Sequence, residues 1–146
     1  GKSLRPASSA DADAVANVFL AARAEMTYLP ELHTEEETRQ WIRTVVLQEL
    51  EVWVADDDGC VVGFAALKDE LLEHLYVHPH DQNSDVGTGL LGLSKQRRPR
   101  GLRLWVFQRN ARARRFYERH GFALTRLTDG SDNEEREPDA LYEWVP

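Results

Sequence analysis

The sequence predicts an α+β fold built on one mixed sheet, and three observations carry that expectation. Seven short apolar-rich runs, among them the alternating "EVWVA", are bounded by turn residues and read as strands. Four other stretches open or close with helix signals or space their apolar residues as one helical face. The resulting order is βααβββαβαββ. Its fourth strand, third helix and fifth strand form a βαβ unit, so those two strands are expected to be parallel with a right-handed crossover. Hairpins make the rest largely antiparallel, with the helices flanking the sheet.

Each element has a local reason. Ser3–Pro6 reads as a short first strand. Val15, Val18, Phe19, Ala22 and Met26 fall on one helical face, with Asp11 and Asp13 in the first turn. Pro30 in "YLPELH" breaks that helix. Thr34-x-x-Glu37 is a capping box, and Trp41, Ile42, Val45 and Val46 follow as the second helix. "EVWVA" and "CVVGFAAL" are strands joined by the hairpin turn "DDDG". "LLEHLYV" is the fourth strand and stops at Pro79. Val86–Lys95 is the third helix, ended by Pro99 and Gly101, and "LRLWV" is the fifth strand. Asn110 caps a fourth helix whose face carries Ala113, Phe116, Tyr117 and His120, and Gly121 sits where a C-terminal cap belongs. "FALTRL" and "ALYEWV" are the last strands, split by the acidic loop Asp129–Asp139.

Composition narrows the function classes. A chain of 146 residues with 42% hydrophobic residues supports one domain, residues 1–146, with its own core. No apolar run has the length of a membrane span, and Gly1–Ala10 lacks a signal-peptide apolar region. The single cysteine, Cys60, has no partner for an internal disulfide, so a cytoplasmic location is expected. A net charge of −7 argues against nucleic acid as a partner of the whole chain. The charge is uneven, however: nine of the 18 Lys and Arg lie between Lys95 and Arg115.

The stretch "HPHDQNSDVGTGLL" carries the first chemical signal. A strand that ends in a glycine-containing turn and then opens a helix presents unpaired N–H groups and positive dipole potential to an anion. Gly87 permits close backbone approach, and Thr88 adds a hydroxyl. Asp85 is the discordant residue, because it brings a negative charge to the same turn.

That stretch, together with "LWVFQRNARARRFYERHGF", resembles the GNAT superfamily of N-acetyltransferases, whose fourth strand runs into Gln/Arg-x-x-Gly-x-Gly/Ala. Gln82, Asp85 and Gly87 stand at the matching positions, with Asp85 where the family usually has Gly. The next family motif is a strand, an Asn and a helix with Phe-Tyr and a closing Gly-Phe. It is matched by Leu104–Val106, Asn110, Phe116-Tyr117 and Gly121-Phe122. The element order agrees with the family from Leu4 to Val145. The resemblance implies acetyl-CoA, or a related acyl-CoA, as co-substrate and a primary amine as acceptor, a small molecule or amino acid ahead of a protein N-terminus. It implies that Asn83, Ser84, Asp85, Val86, Gly87 and Thr88 hold the pyrophosphate on backbone N–H groups, with Gln82 of the motif among the cofactor-binding residues. It further implies that Leu75, Tyr76 and Val77 pair with the pantetheine, that a backbone N–H there, most plausibly of Leu75, polarises the thioester, and that Asn110 contacts the same arm. Tyr117 stands at the family's general-acid position. Glu73, two residues before Leu75, is the candidate base. Attack is expected to be direct, without a Cys60 nucleophile.

Plainer readings stand beside these. Tyr117 fits an ordinary amphipathic helix, Glu73 a solvated strand, and Asn110 a cap alone. His74, His78 and His80 lack the Cys or carboxylate spacing of a metal site, so no metal is expected. The run "KQRRPRGLR" has no interleaved aromatics and reads as a solvated face, although Arg112 and Arg115 are within range of CoA phosphates. The loop "DGSDNEEREPD" is solvated by default, and Glu134, Glu135 and Glu137 are placed to receive a cationic amine. The rival class is an acyl-CoA-binding sensor or interaction module of the same fold without turnover, which Asp85 keeps open. Oligomeric state is left open, a homodimer included.

Overall fold

The computed structural model describes residues 1–82 and 84–146. Seven strands form one sheet: β1 Lys2–Pro6, β2 Glu51–Asp57, β3 Cys60–Lys68, β4 Leu71–Val77, β5 Leu102–Phe107, β6 Ala123–Leu127 and β7 Asp139–Trp144. Their spatial order is β1-β2-β3-β4-β5-β7-β6. Every neighbouring pair is antiparallel except β4 and β5, which are parallel. Four helices flank the sheet: α1 Ala12–Ala24, α2 Glu35–Trp41, α3 Val86–Arg97 and α4 Ala111–Arg119. The expected βααβββαβαββ order is what the chain adopts.

One helix is less regular than its sequence suggests. α2 opens on the anticipated capping box of Thr34 and Glu37. It then passes through a π-helical segment, Ile42–Val46, and a last turn, Leu47–Glu49. Ile42 and Val46 are fully buried there against α1. The β2–β3 turn places Asp58 and Gly59 at φ 51° and 90°, the left-handed pair that a two-residue hairpin needs.

Two cores lie on opposite faces of the sheet, because side chains alternate along β3. Phe64 and Ala66 pack with Val15, Val18, Phe19, Ile42 and Val46 beneath α1 and α2. Ala65 and Leu67 pack with Leu90, Leu91, Leu104 and Tyr142 beneath α3 and α4. Gly63 sets how closely α3 approaches. A Cβ there would lie 3.0 Å from Val86 Cγ1 and 3.1 Å from the Tyr76 carbonyl oxygen. The missing side chain therefore lets the start of α3 rest directly on the sheet. Among the described residues, no helix is long and apolar enough to cross a membrane.

Candidate active site

The parallel pair is the origin of the site. Among the described residues, β4 and β5 register at Leu71 opposite Arg103, and Arg103 N–H donates to Glu70 O at 2.9 Å. Beyond that point the strands have no further registered pair, and a cleft of about 750 Å³ occupies the opening. β4 keeps its other neighbour throughout: Ala65 faces Leu75 and Gly63 faces Val77 on β3. His78 N–H donates to Val62 O at 2.8 Å. Alternation along the strand then turns the Leu75 and Val77 N–H groups away from β3 and toward the cleft. Tyr76 points to the α1 face, where its Oη accepts from Arg23 Nε at 3.2 Å.

Glu73 lines the cleft and is exposed, but it does not share a regular strand face with Leu75. Leu67 pairs with Leu72 and Ala66 with His74, so Glu73 is the extra residue of a β-bulge. The two-residue spacing holds, and the alternation it was read from is interrupted. His74 lies among Phe19, Trp41, Phe64 and Tyr76, with ring centroids 5.3–6.4 Å away. Burial, with the Arg23 charge adding to it, lowers its pKa to about 4. His78 and His80 stack on each other at 5.0 Å, and no group of metal-binding side chains is found among the described residues.

At one end of the cleft stands the start of α3. Gly89 N–H closes the first helical turn on Asp85 O at 2.9 Å, and Val86 N–H is 3.5 Å from Ser84 Oγ. Gly87 and Thr88 line the cleft, and Thr88 Oγ1 is 3.4 Å from His120 Nε2. Gln82 bridges loop and helix: Arg112 Nη1 donates to its Oε1 at 2.7 Å, and its Nε2 lies 3.4 Å from Val77 O. Asn83 lies outside the described residues. Asp85 is the N-cap residue but makes no side-chain capping bond. Its carboxylate is 91% exposed and faces Lys2 Nζ at 3.8 Å. The capping role open to an Asp at this point is thus not taken, and the helix N–H groups remain clear of it.

α4 supplies the wall facing β4. Asn110 Oδ1 accepts from Ala113 N–H at 3.1 Å, the cap read from the sequence, and the residue also lines the cleft. Tyr117 is buried between Phe116 and Phe122, with edge-on rings at 5.3 and 5.6 Å, and borders the same space. Burial, and secondarily Tyr76, holds its phenol well above the usual tyrosine range.

The other end of the cleft is bordered by the α1–α2 connection and the end of β5. Tyr28 and Phe107 line it, rings 6.2 Å apart. The three glutamates do not form an open anionic patch there. Glu135 accepts from Arg23 Nη1 at 3.2 Å, Glu137 is buried 3.0 Å from Arg109 Nε, and Glu134 bonds His33. Each already has a cationic or imidazole neighbour, which corrects the reading of a vacant acidic loop. The sequence already sets "YLP", Tyr28 included, beside the acceptor region, whereas Arg23 and Arg109 escaped it, because nothing in their local context distinguishes them from surface residues. Arg119 was missed as well, although it continues the spacing of Arg112 and Arg115.

Comparison with known proteins agrees with this architecture. The family model for an acetyltransferase (GNAT) domain matches residues 48–124, more than half of the 146. The peptidyl-lysine N-acetyltransferase YiaC of Escherichia coli (strain K12) is 31% identical over 84 residues. That match spans 57% of this chain and 57% of the relative's length. The solution structure of apo-form YjaB from Escherichia coli superposes with a TM-score of 0.81 at 22% identity, covering 99% of this chain and 98% of that one. The PaiA N-acetyltransferase of Thermoplasma acidophilum, solved with coenzyme A, gives 0.74 at 19% identity, covering 100% and 99%. With the family model spanning the β4–α3 and β5–α4 units that build the cleft, the chain belongs to the GNAT acetyltransferase family.

Proposed function

We propose that the chain is an acyl-CoA-dependent N-acetyltransferase, acting as one domain over residues 1–146 on a primary amine. The observation that carries this reading is the opened β4–β5 pair. It offers one cleft with a helix N-terminus at one end, strand N–H groups along its side and the Tyr117 phenol in its wall. These features fit the parts of acetyl-CoA in order: diphosphate at α3, pantetheine amides along Leu75–Val77 and beside Asn110, thioester near Leu75. YiaC acts on peptidyl-lysine, and a lysyl ε-amine is one member of the acceptor class proposed here.

The reaction is direct transfer. An amine of the lysine type has a pKa of about 10.4, so it must lose a proton before it attacks. Glu73, directly or through water, takes that proton. The free amine then attacks the thioester carbonyl carbon, and the Leu75 N–H stabilises the negative charge that develops on oxygen. The C–S bond breaks as the amide forms, and Tyr117 gives its proton to the departing sulfur. A thiol has a pKa of about 8.5, well below that of the raised phenol, so donation runs with C–S cleavage and not ahead of it.

The test is thiol release from acetyl-CoA with a panel of small amines, amino acids and lysine-containing or N-terminal peptides. Acetylated products are identified by mass. Amine-dependent thiol release is expected. Tight CoA binding with no release for any acceptor would leave the non-catalytic acyl-CoA-binding reading in its place.

A further inference from the structure

Three cations run along the mouth of the cleft. Arg112, Arg115 and Arg119 are spaced three and four apart, so they share one exposed face of α4 while Ala113, Phe116 and Tyr117 pack inward. All three border the cleft. From the first to the last the helix rises about 10 Å. Both ends of this stripe are tied to the α3 turn: Arg112 reaches Gln82, and His120, next to Arg119, meets Thr88. The stripe therefore crosses in front of the first turn of α3.

Its guanidinium groups contrast with those of seven other arginines in the chain. The chain carries a net charge of −7, and Arg5, Arg23, Arg39, Arg43, Arg97, Arg98 and Arg109 each lie within 4 Å of a carboxylate. Among the described residues, no ion pair joins Arg115 or Arg119 to a carboxylate. Asp81 borders the same mouth, and Asp85 is turned away to Lys2. Two guanidinium groups without carboxylate partners, beside a helix N-terminus, suit a ligand with more than one phosphate. The α3 turn takes one diphosphate. The guanidinium fork matches a phosphate monoester held apart from it.

We infer that Arg115 and Arg119, with Arg112 linking them to the α3 turn, read the 3′-phosphate on the ribose of the CoA donor. The chain then distinguishes CoA from 3′-dephospho-CoA. This inference rests on the acyl-CoA reading above, and the experiment separates the two. CoA and 3′-dephospho-CoA are titrated calorimetrically into the wild type, Arg115→Ala/Arg119→Ala and Arg115→Lys/Arg119→Lys. The wild type should bind CoA roughly 10- to 100-fold more tightly than the dephospho form, as charge-assisted bonds to one phosphate imply. In the Ala pair that ratio should collapse toward one through lost CoA affinity, with dephospho-CoA nearly unchanged, and the Lys pair should restore part of it. A wild-type ratio near one, a ratio that survives the Ala pair, or equal weakening of both ligands each overturns the assignment, the last by moving the stripe to the shared diphosphate. If neither ligand binds the wild type, the acyl-CoA reading itself fails.

Discussion

At the α3 end of the cleft, the groups facing the opening are first-turn N–H groups and the Arg115 and Arg119 side chains, which have no carboxylate partner there. Near the Tyr28 end two arginines are paired within the protein. Arg23 pairs with Glu135, and Arg109 with Glu137. Arg23 also lies over the Phe19 and Phe107 rings at 5.2 and 5.7 Å, which ties α1 to the end of β5. Among the described residues, no ion pair joins the Arg115 and Arg119 side chains of the first end to a carboxylate, and Asp81 borders the same mouth. The second holds two paired arginines, but Glu25 and Glu73 also line the cleft with no ion pair among the described residues, and the Tyr28 hydroxyl is buried without a hydrogen-bond partner. On the proposed function, recognition at the first end comes from Coulomb attraction and backbone bonds. At the second it depends on shape and on which internal pair an acceptor perturbs.

Tyr117 sits between the two ends, and its loss should have the largest effect. Tyr117→Phe is expected to keep the fold and CoA affinity while turnover drops by roughly 10²-fold or more. Because the phenol is raised above its usual pKa, it stays protonated through pH 10, and the wild-type rate should show no loss there from this group. Unchanged turnover in the Phe variant, with chemistry rate-limiting, removes Tyr117 from the mechanism.

Next comes His74, which lies under the acceptor end with its pKa at about 4 against an ordinary 6.5. As pH falls below 6.5 the unfolded chain takes up this proton first. Stability therefore declines from there down to about pH 4 and then levels off for this group. The full difference is on the order of 3 kcal/mol. Urea unfolding at pH 7 and at pH 4.5 should show that loss in the wild type and a smaller one in His74→Phe. Equal losses in both would mean that His74 is solvated and the acceptor end is more open than its packing indicates.

Glu135→Gln strips the charge from the partner of Arg23 and should cost about 1–3 kcal/mol of stability. It should also raise the acceptor KM several-fold while the acetyl-CoA KM stays fixed, whereas Glu134→Gln, an exposed pair with His33, changes little. Steady-state kinetics with each substrate varied in turn decides this. A shift confined to the donor KM would erase the division between the two ends.

Asp85→Gly should have the smallest effect. The carboxylate faces solvent and Lys2, so its repulsion of a bound diphosphate corresponds to the aqueous limit, about 1 kcal/mol per charge pair or roughly five-fold in affinity. The gain should shrink at high salt. A gain approaching a thousand-fold would mean that the carboxylate occupies the helix N–H groups when CoA arrives.

The sequence determined more of the donor end than of the acceptor end. Gln82, Gly87, Thr88, Asn110 and Tyr117 line the cleft where the sequence set them, because strand, turn and helix start are contiguous in the chain, while the roles proposed for Gln82, Asn110 and Tyr117 come from the resemblance and not from local geometry. The strand order β5-β7-β6 and the opening between β4 and β5 were not, since both depend on which strands pair at long range. The bulge at Glu73 is likewise a property of the β3–β4 register, not of "LLEHLYV". Asp85 is of a residue type that caps helices, yet its carboxylate faces Lys2, from the far end of the chain. Arg23 with Glu135 and Arg109 with Glu137 join residues far apart in sequence, and charge pairing carries no local period or spacing to read. Short-range sterics and hydrogen bonding thus fixed the elements and the glycine-containing turn before α3. The tertiary structure alone decided which charges remain unmatched, because neutralisation depends on distances that only the folded chain creates.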